Sequence, residues 1–173
     1  MFNNDSIKTK LLEYWLQSEQ GKHVRLTENR RAVENKAQGN IAIAGIFIAV
    51  SFTWIKDVVE KSITLNCFEA MGLVMATTLF LLSVLVSVFV LFIESIPVPS
   101  DDALVEQILD RGDKGLSNGL HPLLSDLSRH LKDVNDRLEK FNKKKSYWLF
   151  IAQVFLSLGI CLIALIAIAL VIQ

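Results

Sequence analysis

The stretch Leu120–Ile172 constrains the fold of this chain most, because its first half is amphipathic and its second half is continuously apolar. In the first half, apolar residues recur at steps of four and three, a heptad pattern typical of one face of a helix. The second half, Tyr147–Ile172, has 26 residues and no charge. A bilayer core about 30 Å thick needs roughly 20 helical residues. We therefore predict one long helix, a stalk that leads into a membrane span.

The heptad positions of the stalk form an apolar seam that has two interpretations. The seam packs against the N-terminal helix of the same chain, covering Ile7, Leu11 and Trp15, or it forms a coiled coil with copies of itself. A mixture of both contacts, in a dimer or tetramer, is a further alternative. The residues predicted to carry this stalk or oligomer packing are Leu124, Leu127, Leu131, Val134, Leu138 and Phe141, with Leu120 before them.

Two further apolar blocks, residues 40–55 and 70–93, precede the stalk and predict two more spans. Residues 5–38 have apolar positions at helical spacing and no proline, so they predict one helix that enters the first span. We predict an all-α protein with three transmembrane helices and a cytoplasmic helical stalk. Its parts are an N-terminal helix (1–39), a transmembrane hairpin (40–93) with an outer loop (56–69), a cytoplasmic segment (94–146) and a third span (147–173).

The segment between the second and third spans begins with helix-breaking residues. Pro97 and Pro99 end the second span, because proline lacks an N–H and restricts the residue before it. A short helix is predicted over 101–111. Glycines at 112, 115 and 119 then predict a flexible connection, and their spacing does not match a phosphate-binding loop.

The distribution of basic residues predicts the topology. Lysine and arginine number seven in residues 1–39, two in the hairpin loop and nine between the second and third spans. Cytoplasmic flanks hold the excess of these residues. We therefore expect a multi-pass protein with its N-terminus in the cytoplasm and its C-terminus outside, which agrees with the alternation that three spans require.

The residue types present argue against catalysis and against nucleic-acid binding. The net charge is zero, and the two cysteines and three histidines show no metal-ligand spacing. No group of acids, bases and nucleophiles forms a catalytic pattern, so we predict a protein that is not an enzyme and uses no cofactor or metal. The predicted spans contain no charged residue, which argues against a proton pump or a coupled transporter.

Two basic clusters lie next to predicted spans, Arg25, Arg30, Arg31 and Lys36 before the first and Lys143, Lys144 and Lys145 before the third. One interpretation is that they fix the topology and contact anionic lipid headgroups. The other is a basic pocket between helices or subunits that receives a phosphate-bearing ligand.

Small and hydroxyl-bearing residues recur inside the first two spans. Ala42, Gly45 and Ala49 form a small face, which favours close helix contact in lipid. Ser83 and Ser87 share a face of the second span. Their hydroxyls are expected to bond to carbonyls of their own helix, and the alternative is that they line a polar path. These five residues are candidates for span packing or for a pore lining.

The chain also has a familiar layout: a long N-terminal helix, a hairpin of two spans, and a helical segment that leads into a third span. The stretches that join the helices to the spans are Glu34-Asn35-Lys36-Ala37-Gln38-Gly39-Asn40 and Asn142-Lys143-Lys144-Lys145. This layout resembles the small membrane effectors of bacterial anti-phage defence, of the Pycsar transmembrane, SLATT and retron-associated kinds. The resemblance implies a bacterial inner-membrane protein that is inactive until infection. A cyclic nucleotide or a partner protein would then activate it to perturb the membrane.

We expect a homo-oligomeric effector that depolarises or permeabilises the membrane when its cytoplasmic helices rearrange. The stalk would be the two-state element, because it joins the third span directly. The alternative is a scaffold or anchoring subunit, in which the stalk binds a soluble partner and the spans only tether it.

Overall fold

The computed structural model describes residues 4–60, 67–93 and 120–172, which form three helices. They are α1 (Asn4–Glu60, 57 residues), α2 (Cys67–Phe92, 26 residues) and α3 (Leu120–Ile172, 53 residues). These ranges contain no strand. Each helix is long and apolar enough over part of its length to cross a membrane. The predicted all-α fold with three such helices is confirmed.

The two long helices follow the sequence pattern closely. α3 begins at Leu120 and ends at Ile172, which confirms the prediction of one helix. α1 passes through Gly21 without interruption and continues past residue 55, the predicted end of the first span. An ion pair one turn apart, Lys56 Nζ to Glu60 Oε1 at 3.6 Å, supports its last turns. The short helix predicted at 101–111, the glycine connection and residues 61–66 lie outside the described residues.

The chain divides into two compact units, and both long helices contribute to each. We call the first the polar unit; it comprises Met1–Arg31 and Glu94–Lys143. The second is the membrane unit, which comprises Ala32–Ile93 and Lys144–Gln173 and includes the three apolar blocks.

The membrane unit is a three-helix arrangement with two apolar clusters. Ala37 of α1, Val90 of α2 and Leu149 of α3 form one cluster. Ala44, Ala76, Phe80 and Leu156 form the other. Between the first cluster and the second, residue numbers increase along α1 and α3 and decrease along α2. In this unit α2 is therefore antiparallel to the other two helices, as a hairpin of two spans followed by a third requires.

Large apolar side chains of the membrane unit point outward. Ile46, Leu85 and Leu165 are each about two-thirds exposed, with exposed fractions of 64%, 64% and 63%. In a water-soluble protein such a surface would favour aggregation. Lipid tails are as apolar as leucine, so an outward-facing leucine costs nothing there.

The polar unit pairs α1 with α3 at heptad spacing, but the buried row differs from the predicted seam. Leu124 and Leu138 are buried, as the seam requires. Leu127, Leu131, Val134 and Phe141 are only half-buried. The fully covered positions between them are polar: Ser128, Asn135 and Asn142. The side of α3 that meets α1 is therefore rotated from the apolar stripe toward a row of polar residues.

Candidate functional site

Asn135 is the centre of a hydrogen-bond network in the polar unit, and its side chain is fully buried. Its Nδ2 donates to the backbone oxygen of Glu19 at 2.9 Å and to Glu19 Oε2 at 2.8 Å. These two acceptors fix the amide orientation, so Oδ1 must accept. His23 Nδ1, which lies 3.0 Å from Oδ1, therefore carries the hydrogen and donates it. One asparagine thus joins α3 to two successive turns of α1.

The same contact repeats one heptad later along both helices. Asn142 Nδ2 donates to the backbone oxygen of Leu26 at 2.8 Å. Asn142 follows Asn135 by seven residues, as Leu26 follows Glu19, so α1 and α3 run parallel in this unit. A polar residue at a core heptad position specifies register, because a shifted pairing leaves its amide without partners. The two asparagines therefore fix which residues of α1 face the stalk.

Charged side chains border this network. Lys22 Nζ lies 3.3 Å from Asp136 Oδ1 and 3.4 Å from Glu139 Oε2. These hydrogen bonds, that to Asp136 first, raise the pKa of Lys22 above its ordinary value. Lys143 Nζ, 2.9 Å from Glu139 Oε1, and then Lys22 lower the pKa of Glu139. The side chains of Lys22, Asp136 and Glu139 are partly exposed to water, so their ion pairs contribute little to stability.

An ion pair lies inside the membrane unit. Lys145 Nζ is 2.8 Å from Glu34 Oε1, and the lysine side chain is only 3% exposed. Removing one partner from a buried pair leaves an uncompensated charge, which is much more costly than the pair itself. Lys145 is therefore held by Glu34 and does not present its charge to a ligand.

The remaining residues of the predicted basic clusters are divided between the units. In the polar unit, Arg25 and Arg31 are exposed, and Arg30 is half-buried. Arg25 Nε donates to the backbone oxygen of Gly21 at 3.3 Å. Lys143, in the same unit, pairs with Glu139 and is 75% exposed. In the membrane unit, Lys36 and Lys144 are exposed. Their ammonium groups are available to a headgroup or an anionic ligand, unlike that of Lys145.

The predicted small-residue face lies on the outside of the membrane unit. Ala42, Gly45 and Ala49 are exposed, whereas Ala44 packs inward. A Cβ added at Gly45 would meet nothing within 4 Å. At Gly45 this face is therefore open, with no neighbour from the other described helices.

Ser83 and Ser87 face the interior of the membrane unit, and both are fully buried. The expectation that such hydroxyls bond to their own helix holds for Thr77 and Thr78, which donate to Leu73 and Val74. It is wrong for Ser83, whose Oγ donates to the backbone oxygen of Ala152 at 2.8 Å. Because an alanine occupies position 152, α3 can approach closely enough for this bond. Ser83 thus joins α2 to α3.

An aromatic stack lies one to two turns from these serines. The rings of Phe47 and Phe80 are 5.1 Å apart and nearly parallel, at 16°. Phe80 fits against α3 only because position 159 is glycine: a Cβ there would lie 2.6 Å from Phe80 Cε1. The apolar stack therefore lies next to a layer of buried polar groups.

The sequence prediction missed several residues that form contacts between helices, notably Asn135, Asn142 and Glu34. Heptad spacing of Ser128, Asn135 and Asn142 was visible in the sequence, but an asparagine on a charged helix is usually solvated. Among the described residues, no group of three or more His, Cys, Asp or Glu side chains could hold a metal ion. No family model, curated protein or solved structure matches the chain.

Proposed function

We propose that this protein is a membrane effector that depolarises or permeabilises the membrane when its polar unit rearranges. The observation that carries the proposal is the polar interior of the membrane unit. Three long apolar helices that serve only to anchor a protein need no buried polar groups, since each one costs free energy in lipid. Asn40, Ser83 and Ser87 are nonetheless buried there.

The contacts of the polar unit supply an element that can switch. Asn135 and Asn142 join α3 to α1 through a few hydrogen bonds, and the charges around them are open to water. Each such bond contributes about 0.5–1.5 kcal/mol net, so a ligand with a modest preference for a rearranged state can displace the equilibrium. Because α1 and α3 also contribute to the membrane unit, a change in their pairing reaches the spans.

A phosphate-bearing trigger fits the exposed basic residues. Arg25 and Arg31 in the polar unit, and Lys36 and Lys144 in the membrane unit, are exposed. Arginine binds phosphate through paired hydrogen bonds, and lysine binds it as a point charge. We propose a cyclic nucleotide or a protein partner as the trigger, as the resemblance to anti-phage effectors implies.

The proposed setting is the bacterial inner membrane, with the N-terminus in the cytoplasm and several copies acting together. Three helices are too few to enclose a pore. The exposed face of Ala42, Gly45 and Ala49 could come close to another copy, because small residues let helix backbones approach. A Cβ at position 45 would meet no neighbour among the described residues of its own chain. An effect of a substitution there would therefore indicate contact with another copy.

Membrane potential tests the proposal directly. Bacterial cells would express the chain at controlled levels with a voltage-sensitive dye, before and during phage challenge. We expect depolarisation that Gly45→Leu abolishes at equal protein level, because the larger side chain separates the copies without disturbing its own unit. The matched control is Ile46→Leu at a neighbouring exposed position, which should depolarise like the parent. A steady potential in every condition would refute the effector function.

One observation favours a second candidate function, the membrane anchor of a soluble partner. Phe80 is fully buried, stacks on Phe47 and contacts position 159, so the interior beside the serines is closely filled. An anchor predicts that Gly45→Leu and Ser83→Ala leave every phenotype unchanged as long as the protein folds. For an anchor, the activity to measure would be capture of a soluble protein, in place of depolarisation, and this capture should require the polar unit.

A further inference from the structure

Two buried polar atoms in the membrane unit have no hydrogen-bond partner among the described residues: Asn40 Nδ2 and Ser87 Oγ. Asn40 is 6% exposed and Ser87 is fully buried. An unpaired amide or hydroxyl away from water costs about 1–3 kcal/mol. Two such atoms in one small unit are therefore an anomaly that needs a physical explanation.

The helix pairing places the two residues at the same level. On one side, Ala37 of α1 packs in a cluster with Val90 of α2. On the other side, Phe47 stacks on Phe80. Because the two helices are antiparallel, residue 40 of α1 lies opposite residue 87 of α2. Both unpaired atoms thus belong to one layer between the two apolar clusters.

Ser83 lies one helical turn from Ser87 on the same buried face of α2, and it bonds to Ala152 of α3. Ser83 donates its hydrogen to the backbone oxygen of Ala152, which leaves the lone pairs of Ser83 Oγ able to accept. Ala152 contributes only a methyl group on the α3 side, and Ala37 and Ala44 flank Asn40 on α1. The side chains that border these polar atoms on α1 and α3 therefore include three buried alanines.

We propose that this layer binds water inside the membrane unit, held by Asn40, Ser87 and Ser83. The chemistry of the three groups selects this ligand. The Asn40 amide nitrogen only donates, so it requires an acceptor and repels a cation. The Ser83 oxygen accepts, and Ser87 can do either. A molecule that both accepts and donates satisfies all three, and buried waters typically make about three hydrogen bonds to such groups.

The proposal adds a hydrated layer to spans that the sequence describes as apolar. If the protein also acts as proposed above, this layer is where water first enters the spans, with the Phe47–Phe80 stack as the adjoining apolar barrier. That last step rests on the proposed function. Water binding itself does not, and it is measured on purified protein without any activity assay.

Hydrogen–deuterium exchange of a thiol placed at residue 87 tests the proposal. The full chain with Cys67→Ser and Cys161→Ala, in lipid nanodiscs, would carry Ser87→Cys. Infrared spectroscopy then follows conversion of its S–H stretch to S–D in D₂O. The matched control is Val90→Cys on the same helix face, in the apolar cluster. A dry position exchanges only when the unit opens, so we expect exchange at residue 87 to be faster by about tenfold or more. Equal rates would overturn the proposal.

A second variant links the exchange to the proposed partners. Asn40→Leu has a similar volume and no donor, so adding it to Ser87→Cys should slow thiol exchange to the rate of Val90→Cys. Fast exchange that persists in the double variant would show that Asn40 does not hold the water. Helix content and a single species on elution would be checked for each variant.

Thermal unfolding of Ser87→Ala gives an answer that does not depend on an introduced cysteine. If Ser87 bonds to water, its removal takes away a partner, and the unfolding midpoint falls. If its hydroxyl is an unpaired group, the removal relieves a cost and the midpoint rises. The control is Ser51→Ala. Ser51 is a buried serine whose Oγ donates to the backbone oxygen of Phe47, in its own helix, at 2.8 Å. An unchanged or raised midpoint for Ser87→Ala contradicts the water site.

Discussion

Buried residues recur at heptad spacing in both the polar unit and the membrane unit, but the chemistry of these residues differs between the two units. In the polar unit the apolar seam is half-open, and the covered positions carry Asn135 and Asn142, which bond to backbone oxygens of α1. In the membrane unit many large apolar residues point outward, and the buried positions combine alanine and serine with Phe80 and Leu156. Heptad spacing therefore does not by itself say which face of a helix is covered, or whether the covered residues are polar or apolar.

The solvent around each unit explains the difference. In water, an apolar pair gains free energy by leaving solvent, so a buried asparagine is retained for register at a cost in stability. In lipid, apolar burial gains little, and helices associate through close packing and hydrogen bonds between helices. The two units should therefore respond differently to loss of a polar contact and to an added methyl group.

The largest effect is expected for Lys145→Met in the membrane unit. It removes the 2.8 Å partner of Glu34, whose side chain is 27% exposed, so we expect a cost of about 3 kcal/mol, the lower end for breaking a buried pair. Unfolding in mixed detergent micelles would measure the loss. Lys144→Met removes the same charge from an exposed neighbour and should change little. Equal effects of the two variants would show that the Glu34 pair contributes nothing specific.

Gly159→Ala should destabilise the membrane unit by about 1–3 kcal/mol, the usual range for overpacking. The added Cβ would lie 2.6 Å from a ring atom of Phe80, which is buried and already stacked on Phe47. Gly45→Ala, with open space around its Cβ, is the matched control and should be neutral or stabilising. Phe80→Leu should restore stability to Gly159→Ala, and failure of that rescue would argue against the close contact.

Asn135→Ala tests the polar unit. The substitution leaves His23 Nδ1 and the Glu19 oxygens without their buried partner, so a loss of about 1–2 kcal/mol is expected in chemical unfolding. Asn35→Ala, an exposed asparagine, should lie within error of the parent. A neutral Asn135→Ala would mean that the network is not formed in solution.

Ser83→Ala should cost less, about 0.6 kcal/mol, the average for hydrogen bonds between helices in membranes, and no more than the maximum of about 1.7 kcal/mol. The bond to Ala152 joins two helices, whereas the Thr78 bond to Val74 stays within one. Thr78→Val should therefore be close to neutral in the same unfolding measurement. A larger effect for Thr78→Val would reverse the assignment of which hydroxyl joins the helices.

The smallest effect is a pH dependence in the polar unit. Lys143 first, then Lys22, lower the pKa of Glu139 below its ordinary 4.5. A lowered pKa in the folded state means that the stabilisation is fully present above the ordinary value and is lost as the pH falls through the lowered one. In a plot of unfolding free energy against pH, the fall at acid pH (the acid limb) should be shallower for Glu139→Gln than for the parent. Glu28→Gln, at an exposed position, should leave that limb unchanged.

The helices were predictable from the sequence because their causes are local. Tyr147–Ile172 has no charge and no proline, so one helix through α3 follows from length and hydropathy alone. The heptad pattern also placed Leu124 and Leu138 at the covered face. The end of α1 at Glu60 was not predicted, because polarity at 56–60 was read as a loop when the residues form another turn.

The contacts of the candidate site were not predictable, because each depends on a partner far away in sequence. Asn135 is buried because Glu19 and His23 lie opposite it and accept or donate its hydrogen bonds. Lys145 is buried because Glu34 lies opposite it. Ser83 was expected to bond within α2, because nothing in the sequence shows that position 152 approaches it. Position 45 was placed on a packing face by its size, but size does not say which neighbour it meets.

Membrane potential in cells that express Asn135→Ala is the measurement that tests the central claim most directly. If contacts of the polar unit hold the membrane unit in its resting state, loosening them activates the protein. We predict depolarisation by Asn135→Ala without infection or any trigger, while the parent and Asn35→Ala keep a normal potential at equal protein level. A normal potential with Asn135→Ala, in membranes where the folded variant is present at the parent's level, would contradict the account.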